Sequence, residues 1–242
     1  MFKLIKRLIF FIILILFLIF GLFVYKGYDM YKQAIEEMSI EEKIAEIKAE
    51  KINYIKYEEL PKDYINAIIA VEDRRYFEHN GVDIISIARA IIKDIQTMSL
   101  AEGGSTITQQ LAKNTYFTQK KELTRKIAEI FMAVEYERVC SKEEIFELYV
   151  NTIYFGDGYY CVYDGAQGYF EKNPEDMNLY ESTLLAGIPN APSVYAPTKN
   201  PELAKQRQAQ VLEKMVKYDY LKQEQANEVL KIEFEQYENE EK

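Results

Sequence analysis

The sequence is poor in the residues that build metal centres and disulfide scaffolds. It contains one histidine, His79, two cysteines, Cys140 and Cys161, and no tryptophan. A single histidine excludes a metal site made of several histidines and a second titrating imidazole. Two cysteines are too few for a disulfide framework, and their spacing leaves open whether they form one bridge.

Basic residues are also in the minority. The 242 residues include 30 lysines and arginines against 39 aspartates and glutamates, which gives a formal net charge of −9. Binding to phosphate backbones needs a basic surface, so nucleic acid is not expected as the main partner. Apolar residues make up 48% of the chain, which is enough for a core, and the length fits one domain with a small appendage.

A long apolar run lies near the N-terminus. Residues 8–24 read LIFFIILILFLIFGLFV. As a helix this run spans about 26 Å, and Tyr25 with the stems of Arg7 and Lys26 extends it toward the roughly 30 Å of a bilayer core. A signal peptide would have a shorter apolar stretch and a small-residue cleavage site. We therefore expect a retained membrane anchor, with a cleaved signal as the alternative.

Charge predicts the orientation of this anchor. Lys3, Lys6 and Arg7 precede the apolar run, whereas the flank behind it mixes both signs. The positive-inside rule places the N-terminus in the cytoplasm and the rest of the chain outside the cell membrane. The expected organisation is a cytoplasmic tail (1–7), a single-pass transmembrane helix (8–25), a juxtamembrane helix or stalk (26–53), a main domain (54–231) and a frayed acidic tail (232–242).

Helical patterns dominate the remainder of the chain. Apolar residues recur at helical spacing between residues 35 and 47, and Pro61 fits the first turn of a helix that runs through Val71. Residues 52–58 alternate loosely, which indicates a short strand. Few strands are expected, so the predicted fold class is mostly α.

Three stretches contain candidate chemistry, and the first is VEDRRYFEHNG (residues 71–81). Glu72 and Asp73 follow an apolar helix and precede two arginines. Apolar surroundings can raise a carboxyl pKa toward neutrality, as a general base requires. The alternative for the acids is a surface acid-base cluster at a helix end, and the alternative for His79 is a structural hydrogen bond.

The second stretch, EGGSTITQQLAKN (residues 102–114), is a small-residue loop followed by a helix. Ser105 and Thr106 suit a helix cap, and Gln109 and Gln110 could hydrogen-bond sugar or amide groups. It is not a Walker loop, because G-x-x-x-x-G-K-[ST] is missing from the sequence. The alternative is that this glycine-rich segment is an ordinary turn without a role in binding.

The third stretch is a basic island on an acidic chain. Lys121 and Arg125 are four residues apart, as are Arg125 and Glu129, so on a helix each pair shares a face. With Lys113 and Lys126 they would suit a diphosphate. The alternative is an exposed helix with ion pairs along its surface.

Taken together, the three stretches suit the transfer of a sugar from a polyprenyl diphosphate. Hydrolysis of an ordinary glycoside needs a general acid beside the base. A diphosphate is a better leaving group, and fixed cations that stabilise its charge can replace the proton donor. Only the acceptor hydroxyl then needs a base, and a membrane anchor keeps the enzyme with a substrate that cannot leave the bilayer.

At this point the sequence resembles the peptidoglycan glycosyltransferases, the transglycosylase domain shared by class A penicillin-binding proteins and their monofunctional relatives. Five ordered blocks between about residues 54 and 228 carry the resemblance. They are EDRRYFEHNG (72–81), GGSTITQQLAKN (103–114), RKIAE (125–129), SKEEIFELYVNTIYFG (141–156) and ESTLLAGIPNAPSVYAPTKNPELAKQRQAQVLEKM (181–215).

The resemblance implies a role for each matched position. Glu72 matches the general base that activates the sugar 4-hydroxyl of the incoming lipid-linked disaccharide. Glu129 matches a second glutamate near the donor diphosphate, acting through a bound cation or through the basic residues. The other implied residues are the diphosphate ligands Lys113, Lys121, Arg125 and Lys126, the donor-cleft residues Asp73, Ser105, Thr106, Gln109 and Gln110, and the structural residues His79, Gly81 and Asn151.

The resemblance also implies a fold and a reaction. The fold is a lysozyme-like helical head with a smaller hydrophobic lobe, formed around residues 84–100, that dips into the membrane surface. The reaction is the inverting polymerisation of lipid II into β-1,4-linked glycan with release of polyprenyl diphosphate. Implied partners are lipid II, the growing glycan chain, the membrane and other wall synthases. No cofactor is certain and no residue is assigned to a metal, but a divalent cation (Mg²⁺ or Mn²⁺) at the diphosphate stays open.

Three positions depart from the family pattern. Lys121 stands where arginine is common, and Cys161 and Glu171 replace glycines that are usual after the fourth block. A glycine position can require a positive φ or close packing, so the backbone at Cys161 and Glu171 is the part of the match to check.

Two other functions stay open beside the glycosyltransferase. One is a wall-cleaving muramidase with a similar head, and the other is a non-enzymatic envelope scaffold that keeps the fold. A transpeptidase would need S-x-x-K, and no serine here has lysine three residues later. We therefore expect a monofunctional enzyme that is insensitive to β-lactams.

Overall fold

The computed structural model describes residues 2–97, 104–117 and 122–234 of the chain. Within these ranges the secondary structure consists of helices without a strand, which confirms the mostly α fold class. The helices are α1 (Phe2–Glu37), α2 (Ile40–Glu50), α3 (Lys62–Glu72), α4 (Ile84–Thr97), α5 (Ile107–Tyr116), α6 (Leu123–Val139), α7 (Lys142–Val150), α8 (Val162–Phe170), α9 (Leu179–Gly187), α10 (Pro192–Tyr195), α11 (Pro201–Lys217) and α12 (Gln223–Val229). Short 3₁₀ turns cover Tyr57–Glu59, Tyr76–Glu78, Pro174–Asp176 and Ile188–Asn190.

Helix α1 contains the apolar run and is longer than the predicted span of residues 8–25. In the described part of the chain it is the one helix long and apolar enough to cross a membrane, and the apolar window is not buried by the rest of the protein. The helix extends to Glu37 because residues 26–37 contain no proline and continue an apolar face that packs on α6. The segment predicted as a juxtamembrane helix or stalk is therefore docked on the main domain.

Ser39 separates α1 from α2. Its hydroxyl accepts from the Glu42 backbone N–H, and the Glu42 carboxylate accepts from the Ser39 N–H, which is a complete capping box. Ile40 and Ile47 of α2 are buried in the core. This cap is the local signal that divides the predicted helix into two.

The strand predicted over residues 52–58 is wrong. This segment is extended coil followed by the Tyr57–Glu59 turn. The buried Asn151 side chain accepts from the Ile55 N–H at 3.0 Å and donates to the Ile55 C=O at 2.7 Å. The Ile55 backbone groups that would bond to a neighbouring strand are thus hydrogen-bonded to the Asn151 side-chain amide. Asn151 therefore makes a structural contact with this segment.

Helix α3 lies at the centre of the core. Tyr64, Ala67 and Ile68 have no exposed surface. The helix packs against α9 and α11, while α5 packs against α6 and α7. Pro61 is the residue just before α3 rather than part of its first turn. Because α3 ends at Glu72, that carboxylate emerges from the core at a fixed point.

Gly81 closes the first motif with a left-handed backbone. Its φ is +86°, and a Cβ atom there would lie 2.8 Å from the Ala133 carbonyl oxygen in α6. The Gly81 carbonyl accepts from the Thr106 hydroxyl at 2.6 Å. Glycine is required here by both conformation and space, and the contact joins the first two motifs to α6.

The two positions where the family usually has glycine differ from each other. Cys161 has φ −160°, an extended conformation open to any residue, and it caps α8. Glu171 has φ +54° and ψ +34° at the end of α8, so a side chain occupies the left-handed conformation that glycine favours. Cys140 and Cys161 are both buried and unpaired.

Helix α4 begins the segment predicted to form the hydrophobic lobe. Ile84, Ile85 and Ile92 are exposed on it. Residues 98–100 of the predicted lobe lie outside the described residues, as do residues 235–242 of the predicted acidic tail. The lobe and its contact with the membrane surface stay predictions.

Candidate active site

The described residues enclose a cavity of about 860 Å³ where the first two motifs meet α11. Its walls come from the end of α3, one face of α4, the loop before α5, α5 itself and α11. The lining residues of the first two motifs are Glu72, Asp73, Arg74, Gly104, Ser105, Thr106, Gln110 and Lys113, and those of α11 are Arg207, Gln210, Glu213, Lys214 and Lys217. The size suits a disaccharide-scale ligand.

Glu72 points into this cavity from the last turn of α3 with a side chain only 10% exposed. Its Oε2 accepts from Gln110 Nε2 at 2.8 Å. Its Oε1 is buried without a hydrogen bond and lies 3.6 Å from the Arg207 guanidinium. One carboxylate oxygen is therefore held by Gln110, and the other, which lies beside the Arg207 guanidinium and has no hydrogen bond, is the candidate proton acceptor of a general base.

The side-chain amide of Gln110 is in turn oriented by Tyr149. Tyr149 donates from its hydroxyl to Gln110 Oε1 at 3.5 Å and is completely buried. Burial raises the pKa of Tyr149, and the nearby Glu72 carboxylate raises it further, so the phenol stays a donor. With its oxygen facing Tyr149, the Gln110 amide presents its N–H groups to Glu72.

Asp73 joins the first motif to the second. Its carboxylate contacts His79 Nε2 at 2.9 and 3.0 Å and accepts from the Ile107 backbone N–H at 3.0 Å. Ile107 is the first residue of α5, so a carboxylate there also complements the helix dipole. Asp73 lies at the cavity wall as predicted for the donor cleft, but its oxygens are occupied by protein groups.

Thr106 is the cap of α5, and its reciprocal partner is Gln109. The Thr106 hydroxyl accepts from the Gln109 N–H at 3.1 Å, and the Gln109 side chain accepts from the Thr106 N–H at 3.0 Å. The Gln109 side chain is buried and does not line the cavity. Its expected place in the donor cleft is corrected by this capping box, whereas Ser105, Thr106 and Gln110 do line the cavity.

The basic island is built around Glu129, which is 1% exposed. Arg125 pairs with one of its oxygens, and Lys126 Nζ lies 2.9 Å from the other. Lys126 also donates to Ser105 Oγ at 2.6 Å, which connects the cluster to the cavity wall. Arg125 and Glu129 share a helix face as their spacing predicts, and Lys121 lies outside the described residues.

Lys113 extends the same positive field into the cavity. Burial lowers the pKa of Lys113; the Glu129 carboxylate opposes this effect, and the Arg125 and Lys126 charges add to it. Lys113 and Glu72 line one cavity. The structure thus places Glu72 and Lys113 at one cavity, and Lys126 reaches its wall through Ser105.

The cations of α11 are functional candidates that the motif reasoning missed. Arg207, Lys214 and Lys217 line the cavity, and Gln210 lies between them. Their spacings of three, four and three residues place all four on one helix face. This spacing is visible in the sequence, but no local sequence signal predicts that this face of α11 points toward Glu72.

The residues around Glu129 do not form a preformed divalent-cation site. Both of its oxygens face side-chain cations. Within the described ranges, no group of three His, Cys, Asp or Glu side chains could hold a metal ion. A Mg²⁺ or Mn²⁺ ion at Glu129 would have to replace one of the existing contacts.

Comparisons with known proteins add the following matches. A family model described as Transglycosylase matches residues 40–216. Penicillin-binding protein 1A of Neisseria flavescens is 43% identical over 180 residues, which cover 74% of this chain and 23% of that protein. Penicillin-binding protein 1F of Bacillus subtilis (strain 168) is 40% identical over 185 residues, with coverage of 76% and 26%. The chain spans about a quarter of the length of these curated relatives.

A solved structure is also similar to part of the chain. The crystal structure of Penicillin-Binding Protein 1A from Haemophilus influenzae is 25% identical and covers 54% of this chain and 16% of that one, with a TM-score of 0.35.

Proposed function

The chain belongs to the transglycosylase family, and on that premise we propose that it is a membrane-anchored peptidoglycan glycosyltransferase. Its substrate is lipid II, which it polymerises into β-1,4-linked glycan strands with release of polyprenyl diphosphate. The observation that carries the proposal is the placement of Glu72. One oxygen of this buried carboxylate is fixed by Gln110, the other has no hydrogen bond, and the cavity it faces also contains Lys113.

The reaction begins at the acceptor hydroxyl. Glu72 Oε1 takes the proton of the acceptor 4-hydroxyl as that oxygen attacks the anomeric carbon of the donor sugar. The bond from that carbon to the donor diphosphate breaks, and its electron pair leaves with the diphosphate. Attack from the face opposite the leaving group converts an α-linked donor into a β-linked product.

The leaving diphosphate needs charge stabilisation rather than a proton. Lys113 at the cavity and Lys126 behind Ser105 supply fixed positive charge in partly desolvated surroundings. Preorganised cations of this kind stabilise developing negative charge without reorganisation. Glu129 fixes Arg125 and Lys126 in this arrangement, which gives it a positioning role.

The anchor keeps the enzyme at the surface where its substrate lies. Helix α1 contains one apolar stretch suited to a single span. Lys3, Lys6 and Arg7 before it favour a cytoplasmic N-terminus, which places the catalytic domain on the outer side of the cell membrane. Lipid II and the growing glycan remain attached to the bilayer by their polyprenyl chains, so both substrates reach the cavity from the membrane.

The test is polymerisation by the purified full chain. Wild type is incubated with lipid II in detergent, with and without EDTA, and glycan chains are separated on a gel. Long glycan strands are the expected product. Failure to form polymer in either condition would contradict the proposal, and release of soluble fragments from purified peptidoglycan would instead identify a muramidase. Binding of a diphosphate-lipid analogue without turnover would identify a scaffold.

A further inference from the structure

Helix α1 continues past the membrane boundary and docks on the helix that carries the diphosphate cations. The apolar run ends at Val24, and the helix extends to Glu37, about 20 Å further at 1.5 Å per residue. Its first buried residue is Gly27, only three positions after Val24. The docking therefore begins at the level where the apolar run ends.

Gly27 makes a contact that no other residue type could make without movement. A Cβ atom at this position would lie 2.5 Å from Ile127 Cγ2 and 2.9 Å from the Thr124 carbonyl oxygen. The second of these is backbone of α6, which cannot swing aside like a side-chain end. Gly21, six residues earlier on the same helix, has nothing within 4 Å of such an atom.

Aromatic side chains extend the contact along α6. The rings of Tyr28 and Phe131 meet edge to face with centroids 5.2 Å apart, and Tyr31 lies 5.9 Å from the same ring. The Tyr31 hydroxyl donates to Glu135 Oε2 at 3.4 Å. Successive contacts at positions 27, 28 and 31 fix both the angle and the axial position of α1 on α6.

The far end of α1 is tied to the other helix of the site. The Tyr116 hydroxyl, at the end of α5, contacts the Met38 and Ser39 carbonyl oxygens at 3.1 and 2.9 Å. Helix α5 carries Gln110 and Lys113. The anchor therefore packs on α6, which carries Arg125 and Lys126, and the residues that directly follow it are hydrogen-bonded to α5.

The contact at Gly27 also fixes the position of α6 relative to the end of the apolar run. Thr124 and Ile127, which touch Gly27, flank Arg125 and Lys126 in the sequence of α6. Gly27 lies about 4.5 Å along the helix axis from Val24, the end of the apolar run. With the end of the apolar run taken as the edge of the hydrocarbon core, the cation pair lies about one helical turn from that edge, which is close to the depth of a diphosphate on a membrane-embedded polyprenyl chain.

We propose that Gly27 is a positioning residue that holds the cations of α6 at the depth of the lipid diphosphate, a role that rests on the proposed function because the diphosphate belongs to the proposed substrate. The anchor then does more than retain the enzyme at the membrane. Helix α1 and α6 act as one rigid unit, and the close crossing at Gly27 determines how far the site stands from the bilayer.

The test compares Gly27→Leu with Gly21→Leu in the full chain reconstituted into liposomes. Each variant is assayed with lipid II of natural chain length in the same bilayer and with a short-chain, water-soluble analogue. Gly27→Leu is expected to lower the rate on bilayer lipid II about tenfold while the rate on the soluble analogue changes less than about twofold. Gly21→Leu is expected to leave both rates unchanged, and Gly27→Ala to give a smaller loss with the same selectivity.

A second readout is independent of turnover. A nitroxide on Leu123→Cys, an exposed position beside the cation pair, reports the depth of α6 in the bilayer, since the native cysteines are buried. The Gly27 variants are expected to shift this label away from headgroup depth. An unchanged depth, equal losses on the two substrates, or full activity of Gly27→Leu on bilayer lipid II would each overturn the positioning role. An inactive wild type, together with a label shift in the Gly27 variants, would refute the proposed function and leave the role of Gly27 in fixing the depth of α6 intact.

Discussion

Lys113 gives a prediction in which activity and pH dependence can be separated. It is the cation of the basic island that lines the cavity with Glu72, and its charge is expected to stabilise the departing diphosphate. Lys113→Met removes this charge while keeping most of the apolar stem. Arg125 and Lys126 remain in place around Glu129, so part of the positive field survives.

The expected loss of kcat in Lys113→Met depends on the charge that is removed and on the neighbouring cations that remain. Removal of one preorganised donor at a developing oxyanion costs about 100- to 1,000-fold in kcat, or about 3–4 kcal/mol. Because two neighbouring cations persist, we expect the lower end, about 100-fold. Lys113→Arg keeps a positive charge and is expected to retain most of the activity.

The pH dependence of kcat/KM gives a second test of the Lys113 charge. Burial lowers the pKa of Lys113 because desolvation disfavours the charged amine. The positive charge is therefore lost as the pH rises through a value below that of an ordinary lysine, and kcat/KM, which reports the free enzyme, falls on that alkaline limb. Arginine stays charged over this range, so Lys113→Arg is expected to move the limb to higher pH.

The measurement is the initial rate of lipid II polymerisation from neutral to alkaline pH for wild type and both variants. Thermal unfolding in the same detergent shows whether the fold is retained. A Lys113→Met enzyme with wild-type kcat/KM, or an active Lys113→Arg enzyme with an unmoved alkaline limb, would refute the assigned role of Lys113.

Two further substitutions test other parts of the account. Gln110→Leu removes the donor that holds Glu72 and is expected to lower kcat about tenfold. Since a hydrogen bond to a charged group contributes about 1.5–3 kcal/mol, the unfolding temperature is expected to fall by several degrees; an unchanged kcat in the folded variant would contradict this. Glu171→Gly relieves a left-handed residue that costs about 1–2 kcal/mol, less the roughly 0.5–1 kcal/mol of glycine's chain entropy. Calorimetry should show an unfolding temperature higher by about 1–4 °C, and a decrease would contradict the strain.

Features set by neighbouring residues in the chain could be predicted from the sequence. The apolar helix follows from composition, and the turn at Ser105 and Thr106 follows from residues suited to caps. The pairing of Arg125 with Glu129 follows from a spacing of four residues on a helix. In each case the partners are local, so periodicity and side-chain chemistry were sufficient.

Features that depend on long-range packing could not be predicted in this way. The contact of Arg207 with Glu72 joins residues 135 positions apart, and the bond from Ile107 to Asp73 crosses 34. Gln109 looked equivalent to Gln110, yet its side chain turns back to cap α5. The segment 52–58 has a strand-like pattern, but Asn151 takes the backbone groups that a neighbouring strand would need.

The central claim is that the Glu72 carboxylate accepts the proton of the attacking hydroxyl. The most direct test is steady-state polymerisation of lipid II by Glu72→Gln, with Glu143→Gln, an exposed position on α7, as the matched control. We predict a kcat lower by about 10²- to 10⁴-fold with little change in KM and in unfolding temperature, and a control that matches wild type. A folded Glu72→Gln enzyme that keeps more than about a tenth of the wild-type kcat would contradict the account.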